Sequence, residues 1–350
     1  MINNIRKYFS STLKDAIINL FIYRIYNRFC LRYHELRISC ELTTRCNTSC
    51  DMCTRPSFVK EKQLSVGDME PQVLERVVQE IKKIHEAKKQ VYFVPMGLGE
   101  PLLYDGLFDL FEKIKKISKK IKIVLVTNGI LLNETIAHKI ISLDIDEVCV
   151  SLNVNNPVAY REHMGTDNYK KVCGNIENLI NLRNQKNRLT PSVFVQYIDY
   201  DKNVEVFDND IKRWYKIMRH NDKCFIHPVV NQAGFFSGGN DFGCKTYQFP
   251  CTQPLWRIAI KRNGDIYPCD SSLYSGPHII RSLYLGNIKD VSPLELFVLN
   301  NRKVSSIVQK MRFDDYSGLP ECQQCNTCKL SVNCYFLIPN FLRFSGKKWL

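Results

Sequence analysis

The run Cys46-Asn-Thr-Ser-Cys50-Asp-Met-Cys53 puts three thiols within eight residues. Three cysteines this close cannot all pair with one another, yet from a loop they can converge on one metal centre. The preceding run from Glu35 to Thr43 reads as a strand, and a helical pattern follows the loop. Three ligands leave one coordination position open for chemistry, whereas four usually close a structural site. For thiolates, zinc and iron–sulfur are the usual choices, and the count alone leaves both open.

At 350 residues the chain has room for one large domain and a smaller one. Its 45% hydrophobic and 24% charged content fits an ordinary soluble protein with a full core. The fifteen cysteines gather mainly in two places, which favours metal binding over a secreted disulfide framework. No signal peptide and no apolar run long enough to span a bilayer is visible, so the expected compartment is the reducing cytoplasm. The net charge of +14 favours acidic partners in general. The basic residues are spread along the chain without an RNA or DNA motif, so no specific nucleic acid is expected.

Residues 1–34 read as a basic amphipathic helical segment, one helix or a helix pair. Ile2, Ile5, Phe9, Leu13, Ile17, Leu20, Phe21, Ile25 and Phe29 fall near helical spacing, and six basic residues oppose the single acid Asp15. Such a helix either packs on the domain that follows or lies on an anionic membrane surface, peripheral at the inner face. The tail 336–350 repeats the theme, with Phe341, Leu342, Phe344 and Trp349 among Arg343, Lys347 and Lys348.

From the cysteine loop onward, strands and helices alternate. Asp68 is placed to cap a helix carrying Val73, Val77, Ile81 and Ile84. Strands are expected at 91–94, 121–126, 147–152, 192–197 and 224–228. Helices are expected around 107–117, 132–142, 169–184 and 204–219. This alternation means parallel βα units, and the class is α/β. In such barrels chemistry sits at the carboxyl ends of the strands. Three unusual runs stand there: Gly97-Leu-Gly99-Glu100-Pro101, Thr127-Asn128-Gly129 and Ser151-Leu-Asn153.

The cysteine loop, its lead-in Leu42-Thr-Thr-Arg-Cys46-Asn47 and these strand-end runs together resemble the radical S-adenosylmethionine (SAM) superfamily. The resemblance implies a partial (β/α)6 TIM-type barrel over residues 35–235. It implies that Cys46, Cys50 and Cys53 hold a 4Fe–4S cluster whose fourth iron chelates SAM. Met52 stands where the family usually has an aromatic residue. By the same resemblance, Gly97, Gly99, Glu100 and Pro101 form the loop that meets the SAM amino group. Thr127, Asn128, Ser151 and Asn153 are the further strand-end contacts, Gln196 faces SAM from the fifth strand, and Arg161 pairs with the SAM carboxylate.

Near residue 240 the composition shifts, after a linker-like run at 235–240. Asn263-Gly264 between Ile258-Ala-Ile260 and Ile266-Tyr267 is a hairpin signal that brings Cys251 and Cys269 to the ends of paired strands. Residues 240–335 resemble the SPASM extension of radical SAM enzymes, in a shortened form. The resemblance implies a small cysteine-rich α+β domain in which Cys251, Cys269, Cys322 and Cys325 hold one auxiliary 4Fe–4S cluster. Cys325, Cys328 and Cys334 fit the first positions of a second cluster motif, but Ile338 stands at its fourth. Cys244 could help complete such a cluster; the plainer reading of Cys328 and Cys334 is a zinc site or free thiols. Cys30, Cys40, Cys149, Cys173 and Cys224 have no partner pattern and read as small buried hydrophobes.

The implied reaction is reductive cleavage of SAM to a 5′-deoxyadenosyl radical that abstracts a substrate hydrogen, with electrons from a flavodoxin- or ferredoxin-type donor. The auxiliary cluster would carry electrons or position the substrate. A sugar-type or other small-molecule substrate, dehydrogenated or epimerised, is favoured slightly, because no leader-peptide-binding region precedes the barrel. A peptide- or protein-modifying maturase is the alternative, and a molybdenum-cofactor-type cyclase is a rival within the superfamily. From another class, a zinc-stabilised nucleic-acid-binding protein would explain the thiols but not the six βα units. No general acid or base stands out; Tyr104, Asp146, Glu147 and Tyr197 fall near the expected level.

Overall fold

The computed structural model describes residues 35–87, 89–200, 204–229, 251, 253–298, 302–312 and 317–325. The amphipathic segment 1–34, the tail 336–350, Cys30, Cys244, Cys328 and Cys334 lie outside these residues.

Six parallel strands make the barrel wall: β1 (Glu35–Cys40), β2 (Gln90–Pro95), β3 (Lys122–Thr127), β4 (Glu147–Asn153), β5 (Ser192–Asp199) and β6 (Lys223–Pro228). The helices between them are α1 (Arg55–Lys60), α2 (Pro71–Glu86), α3 (Leu107–Ile117), α4 (Glu134–Ser142), α5 (Pro157–Met164), α6 (Tyr169–Gln185) and α7 (Asp208–Tyr215). The sheet runs β6-β5-β4-β3-β2-β1 and continues past β1 into β7 (Arg257–Ile260), β8 (Asp265–Tyr267) and β9 (Gly286–Asn287). Three short helices complete the described extension: α8 (Pro293–Phe297), α9 (Arg302–Arg312) and α10 (Pro320–Gln324). The architecture is a partial TIM-type α/β barrel with a C-terminal extension.

Strand periodicity separates two apolar layers. Leu36, Ile38, Val148, Val150, Val193 and Val195 face outward into one continuous core with the helices. On α2, Val73, Val77, Ile81 and Ile84 are fully buried, and each such side chain stabilises the packing by roughly 1.5–3 kcal/mol. Cys149, Phe194 and Phe225 form a separate cluster on the opposite faces of their strands, with Val126 against it. Cys40 and Cys173 are buried in the main core, as expected of small hydrophobes.

The expected hairpin is present. β7 and β8 pair antiparallel, with Ile260 opposite Ile266 and Gly264 at φ +93° in the turn. Its attachment was not read from sequence: β7 pairs parallel with β1, Arg37 opposite Arg257 and Cys40 opposite Ile260. The extension is therefore hydrogen-bonded into the barrel sheet.

Asp68 does not cap α2. Glu70 occupies the cap position, and Pro71 opens the helix. The Asp68 carboxylate is taken by the Arg45 fork, at 3.0 Å from Nε and 2.7 Å from Nη2, a bidentate pair stronger than a cap. Helix α5 was also missed, although its signals are local. Asn156 accepts the Ala159 N–H at 2.9 Å, Pro157 opens the helix, and Gly165 ends it in the left-handed region. The expected helix at 204–219 is shorter: a 3-10 turn at Val204–Phe207 leads into α7.

Candidate active site

The loop from β1 to Cys53 is held from three sides. On one side stands the turn after β2. Gly99 lies so close to the loop that a Cβ there would sit 2.1 Å from the Thr43 carbonyl oxygen. The Glu100 N–H donates to the Arg45 carbonyl at 2.7 Å. Gly97 has φ +157°, and a Cβ would meet Glu41 at 2.8 Å. Only glycine fits both positions.

The second support is the end of β3. The Asn128 amide donates to Asn47 Oδ1 at 2.6 Å. Glu100 joins the same network, since its carboxylate accepts from the Thr127 hydroxyl at 2.6 Å and the Asn128 N–H at 2.7 Å. Burial pushes the Glu100 carboxyl above its ordinary value, against the pull of these hydrogen bonds.

The third support is the C-terminal end of α5. Ser49 and Asp51 donate backbone N–H groups to the Met164 and His163 carbonyls at 3.2 and 2.9 Å. His163 Nδ1 lies 2.7 Å from Asp51 Oδ2, and its ring stacks on Tyr200 at 3.8 Å.

Cys46, Cys50 and Cys53 emerge at the rim of a cavity of about 470 Å³. Gly97, Gly99, Glu100, Pro101, Thr127, Asn128, Ser151, Asn153 and Gln196 line the same cavity, as does Met52. Asn153 sits at a strand irregularity with φ +67°, and its Oδ1 accepts from Gln196 Nε2 at 3.4 Å. Arg161 is placed elsewhere. It is exposed, pairs with Asp167 and is absent from the described cavity lining.

The thiols fit an iron–sulfur centre by their chemistry and surroundings. Cys46 and Cys50 Sγ lie 3.2 and 3.3 Å from the Thr48 hydroxyl, and the Arg55 N–H donates to Cys53 Sγ at 3.4 Å. Burial pushes Cys50 up to about 12 and Cys53 up to about 11. Burial thus favours the protonated form of Cys50 and Cys53, and a bound metal centre would supply the charge that makes them thiolates.

A second thiol group stands in the extension. Cys251, Cys269, Cys322 and Cys325 line one small enclosed pocket with Pro254, Ile280 and Leu283. They arrive from the segment before β7, the end of the hairpin and helix α10. Burial beside Cys251 and Cys325 pushes Cys269 up to about 12. Four converging thiols in an apolar setting fit a closed cluster that exposes no metal to substrate.

The remainder of the main cavity is built by β1, β6 and the extension: Arg37, His227, Gln253, Arg257, Asp270 and Tyr274. Sequence reading missed Asp270. It adjoins Cys269, is 7% exposed and pairs with Arg257, and its Oδ1 has no hydrogen-bond partner among the described residues. The residues weighed earlier as acid or base are not in the described lining. Asp146 is taken by Lys115, Lys122 and the Ile123 N–H, and Tyr197 by Trp214.

Comparison with known proteins agrees with this geometry. The profile of the Radical SAM superfamily matches residues 40–192, and that of the SPASM iron-sulfur cluster-binding domain matches residues 251–329. A tungsten-containing aldehyde ferredoxin oxidoreductase cofactor-modifying protein of Pyrococcus furiosus is 24% identical over 342 residues, covering 85% of this chain and 88% of its own. Among solved structures, BtrN in complex with AdoMet and 2-DOIA superposes with a TM-score of 0.54 at 14% identity, over 83% of this chain and 93% of BtrN. SuiB of Streptococcus suis bound to precursor peptide SuiA gives 0.53 at 14% identity, over 84% of this chain and 70% of SuiB. The radical SAM match implies a 4Fe–4S cluster and SAM, and the SPASM match implies auxiliary iron–sulfur clusters. The chain belongs to the radical SAM superfamily and is an enzyme of that family with a C-terminal SPASM domain.

Proposed function

We propose that Cys46, Cys50 and Cys53 hold the SAM-binding 4Fe–4S cluster and that SAM lies along Gly97–Pro101, Thr127, Asn128, Ser151, Asn153 and Gln196. One observation carries this reading: all of these residues line a single cavity at the carboxyl ends of the strands. When bound, cluster and SAM supply one-electron cleavage of the sulfonium and abstraction of a hydrogen atom from substrate. The chain's own residues do the rest. Glu100 is an acceptor braced by Thr127 and Asn128 for the SAM amino group. Asn153 and Gln196 are polar partners for the ribose. The barrel wall excludes water and competing hydrogen donors.

Cys251, Cys269, Cys322 and Cys325 hold the auxiliary cluster, which carries electrons or shapes the substrate cavity. Residues 35–235 are assigned to the barrel domain and 240–335 to the SPASM domain. A flavodoxin- or ferredoxin-type protein is the electron donor. No described helix is long and apolar enough to cross a membrane; segment 1–34 is assigned to pack on the barrel domain, with an anionic membrane surface as its second reading.

Asp270 is the described carboxylate placed to take a proton from substrate, because its Oδ1 is buried in the cavity region without a partner. The substrate is a sugar-type or other small molecule that is dehydrogenated or epimerised. Support comes from the bounded cavity and from the likeness to a cofactor-modifying protein and to a structure holding 2-DOIA. The likeness to peptide-bound SuiB favours a peptide substrate as the second reading. Incubation with SAM, dithionite and C-deuterated sugars or peptides tests the two. Deuterium in 5′-deoxyadenosine from sugars alone supports the first; deuterium from peptides alone contradicts it.

A further inference from the structure

Met164 lines the main cavity but has no part in the SAM assignment. It is the last residue of α5 and is 2% exposed. Its backbone fixes its place. Gly165 follows in the left-handed region and donates its N–H to the Arg161 carbonyl at 3.0 Å, while the Met164 carbonyl accepts the Ser49 N–H. The thioether then reaches two elements at once. Met164 Sδ lies 3.6 Å from Cys50 Sγ on the cysteine loop and 3.4 Å from Asn153 Nδ2 at the end of β4.

We infer that Met164 is a positioning residue for SAM that acts through the Asn153 amide. The inference rests on the SAM assignment given above. A side-chain amide has a donor end and an acceptor end, and turning it over exchanges them. At Asn153 both neighbours select the same orientation. Gln196 presents a donor, Nε2, to Asn153 Oδ1 at 3.4 Å. Met164 presents sulfur, an acceptor without a proton, to Asn153 Nδ2. The amide is thereby held with one N–H on sulfur, and its second N–H serves an oxygen of the ribose.

Asn153 depends on this hold. Its backbone stands at φ +67° beside a shift in strand register, a conformation that asparagine tolerates better than most residues. Asn153 and Met164 are both buried, so a partner lost there is not simply replaced by bulk water. Sulfur is a weak acceptor, but carbon in its place would leave the N–H facing no acceptor and would remove the preference for one amide orientation. The same sulfur touches Cys50. The loop that carries the thiols and the strand end that meets the ribose therefore share one support.

The test is calorimetric binding of SAM to anaerobically reconstituted full-length protein, with iron content measured on each variant. Leucine fills the space of methionine but carries no acceptor. Met164→Leu should therefore keep its iron and weaken SAM binding about fivefold, the worth of one ordinary hydrogen bond. In an Asn153→Ala background the same change should have no further effect, because the group it orients is gone. A purely structural role would weaken binding in both backgrounds. Met164→Gln restores an acceptor and should bind SAM within about twofold of wild type; it decides the matter if Met164→Leu loses iron. Met218→Leu, outside the described cavity lining, should change nothing. Wild-type affinity in iron-replete Met164→Leu, additive effects of Met164→Leu and Asn153→Ala, or weakened binding by iron-replete Met164→Gln overturns the inference. Iron-replete wild type that fails to bind SAM would overturn the SAM assignment itself, and this inference with it.

Discussion

Glu41 accepts the Leu98 N–H on Oε1 at 3.1 Å. Its Oε2 accepts the Arg262 N–H at 3.2 Å, so one buried carboxylate joins the turn after β2 to the turn after β7. Thr54 makes a parallel link, donating to the Tyr274 carbonyl at 2.7 Å. The extension thereby buttresses both the glycine turn and the end of the cysteine loop.

Glu41→Ala should leave the buried Leu98 N–H and the half-buried Arg262 N–H without their acceptor, at about 1–3 kcal/mol for each such group. Anaerobic urea unfolding should show a loss of about 2–5 kcal/mol. A loss well below 1 kcal/mol would mean that the turns hold each other without the carboxylate.

Two glycine-to-alanine changes should act in opposite directions. At Gly99 the new methyl would meet the Thr43 carbonyl at 2.1 Å, so the loop must shift, and SAM affinity should fall at least tenfold. At Gly174, within α6, nothing lies within 4 Å of the new Cβ. There the lower entropy of the unfolded chain should stabilise the fold by about 0.5–1 kcal/mol. Unaltered SAM binding in Gly99→Ala would contradict the close approach.

The parts legible in sequence were those with a short-range signal. The thiol spacing, the strand-end glycines and the Asn263-Gly264 turn each carry their chemistry within a few residues, and the structure brings them to the elements expected. Long-range pairings were not legible. The parallel match of β7 to β1 joins residues some 220 positions apart, and no local pattern announces it. Asp270 was overlooked because a lone acid after a cysteine looks like an ordinary strand end. Asp68 misled because its cap-like spacing was real but Arg45 offered it a better partner. Arg161 was carried over on resemblance, and its helix turns it toward Asp167.

His227 provides a pH dependence. Burial lowers it from 6.5 to about 4. Between those values the unfolded chain takes up a proton that the folded chain refuses. Its stabilising contribution is therefore complete above pH 6.5 and is lost as pH falls toward 4, by an amount of order 2 kcal/mol. His227→Gln should flatten that limb of the stability–pH curve; an unchanged limb would assign the loss to other groups.

Asp270→Asn should keep SAM cleavage without substrate but lower product formation about 10²–10⁴-fold if the carboxylate moves a proton. Equal losses of both activities would make Asp270 a structural partner of Arg257 alone.

The most direct measurement compares iron, sulfide and 5′-deoxyadenosine formed from SAM with dithionite, anaerobically, in wild type and in Cys46→Ala/Cys50→Ala/Cys53→Ala. Wild type should be brown and cleave SAM. The triple variant should lose cleavage but keep the iron held by Cys251, Cys269, Cys322 and Cys325. Colourless wild type that contains zinc and forms no 5′-deoxyadenosine, or a triple variant that still cleaves SAM, would contradict the assignment of the cysteine loop.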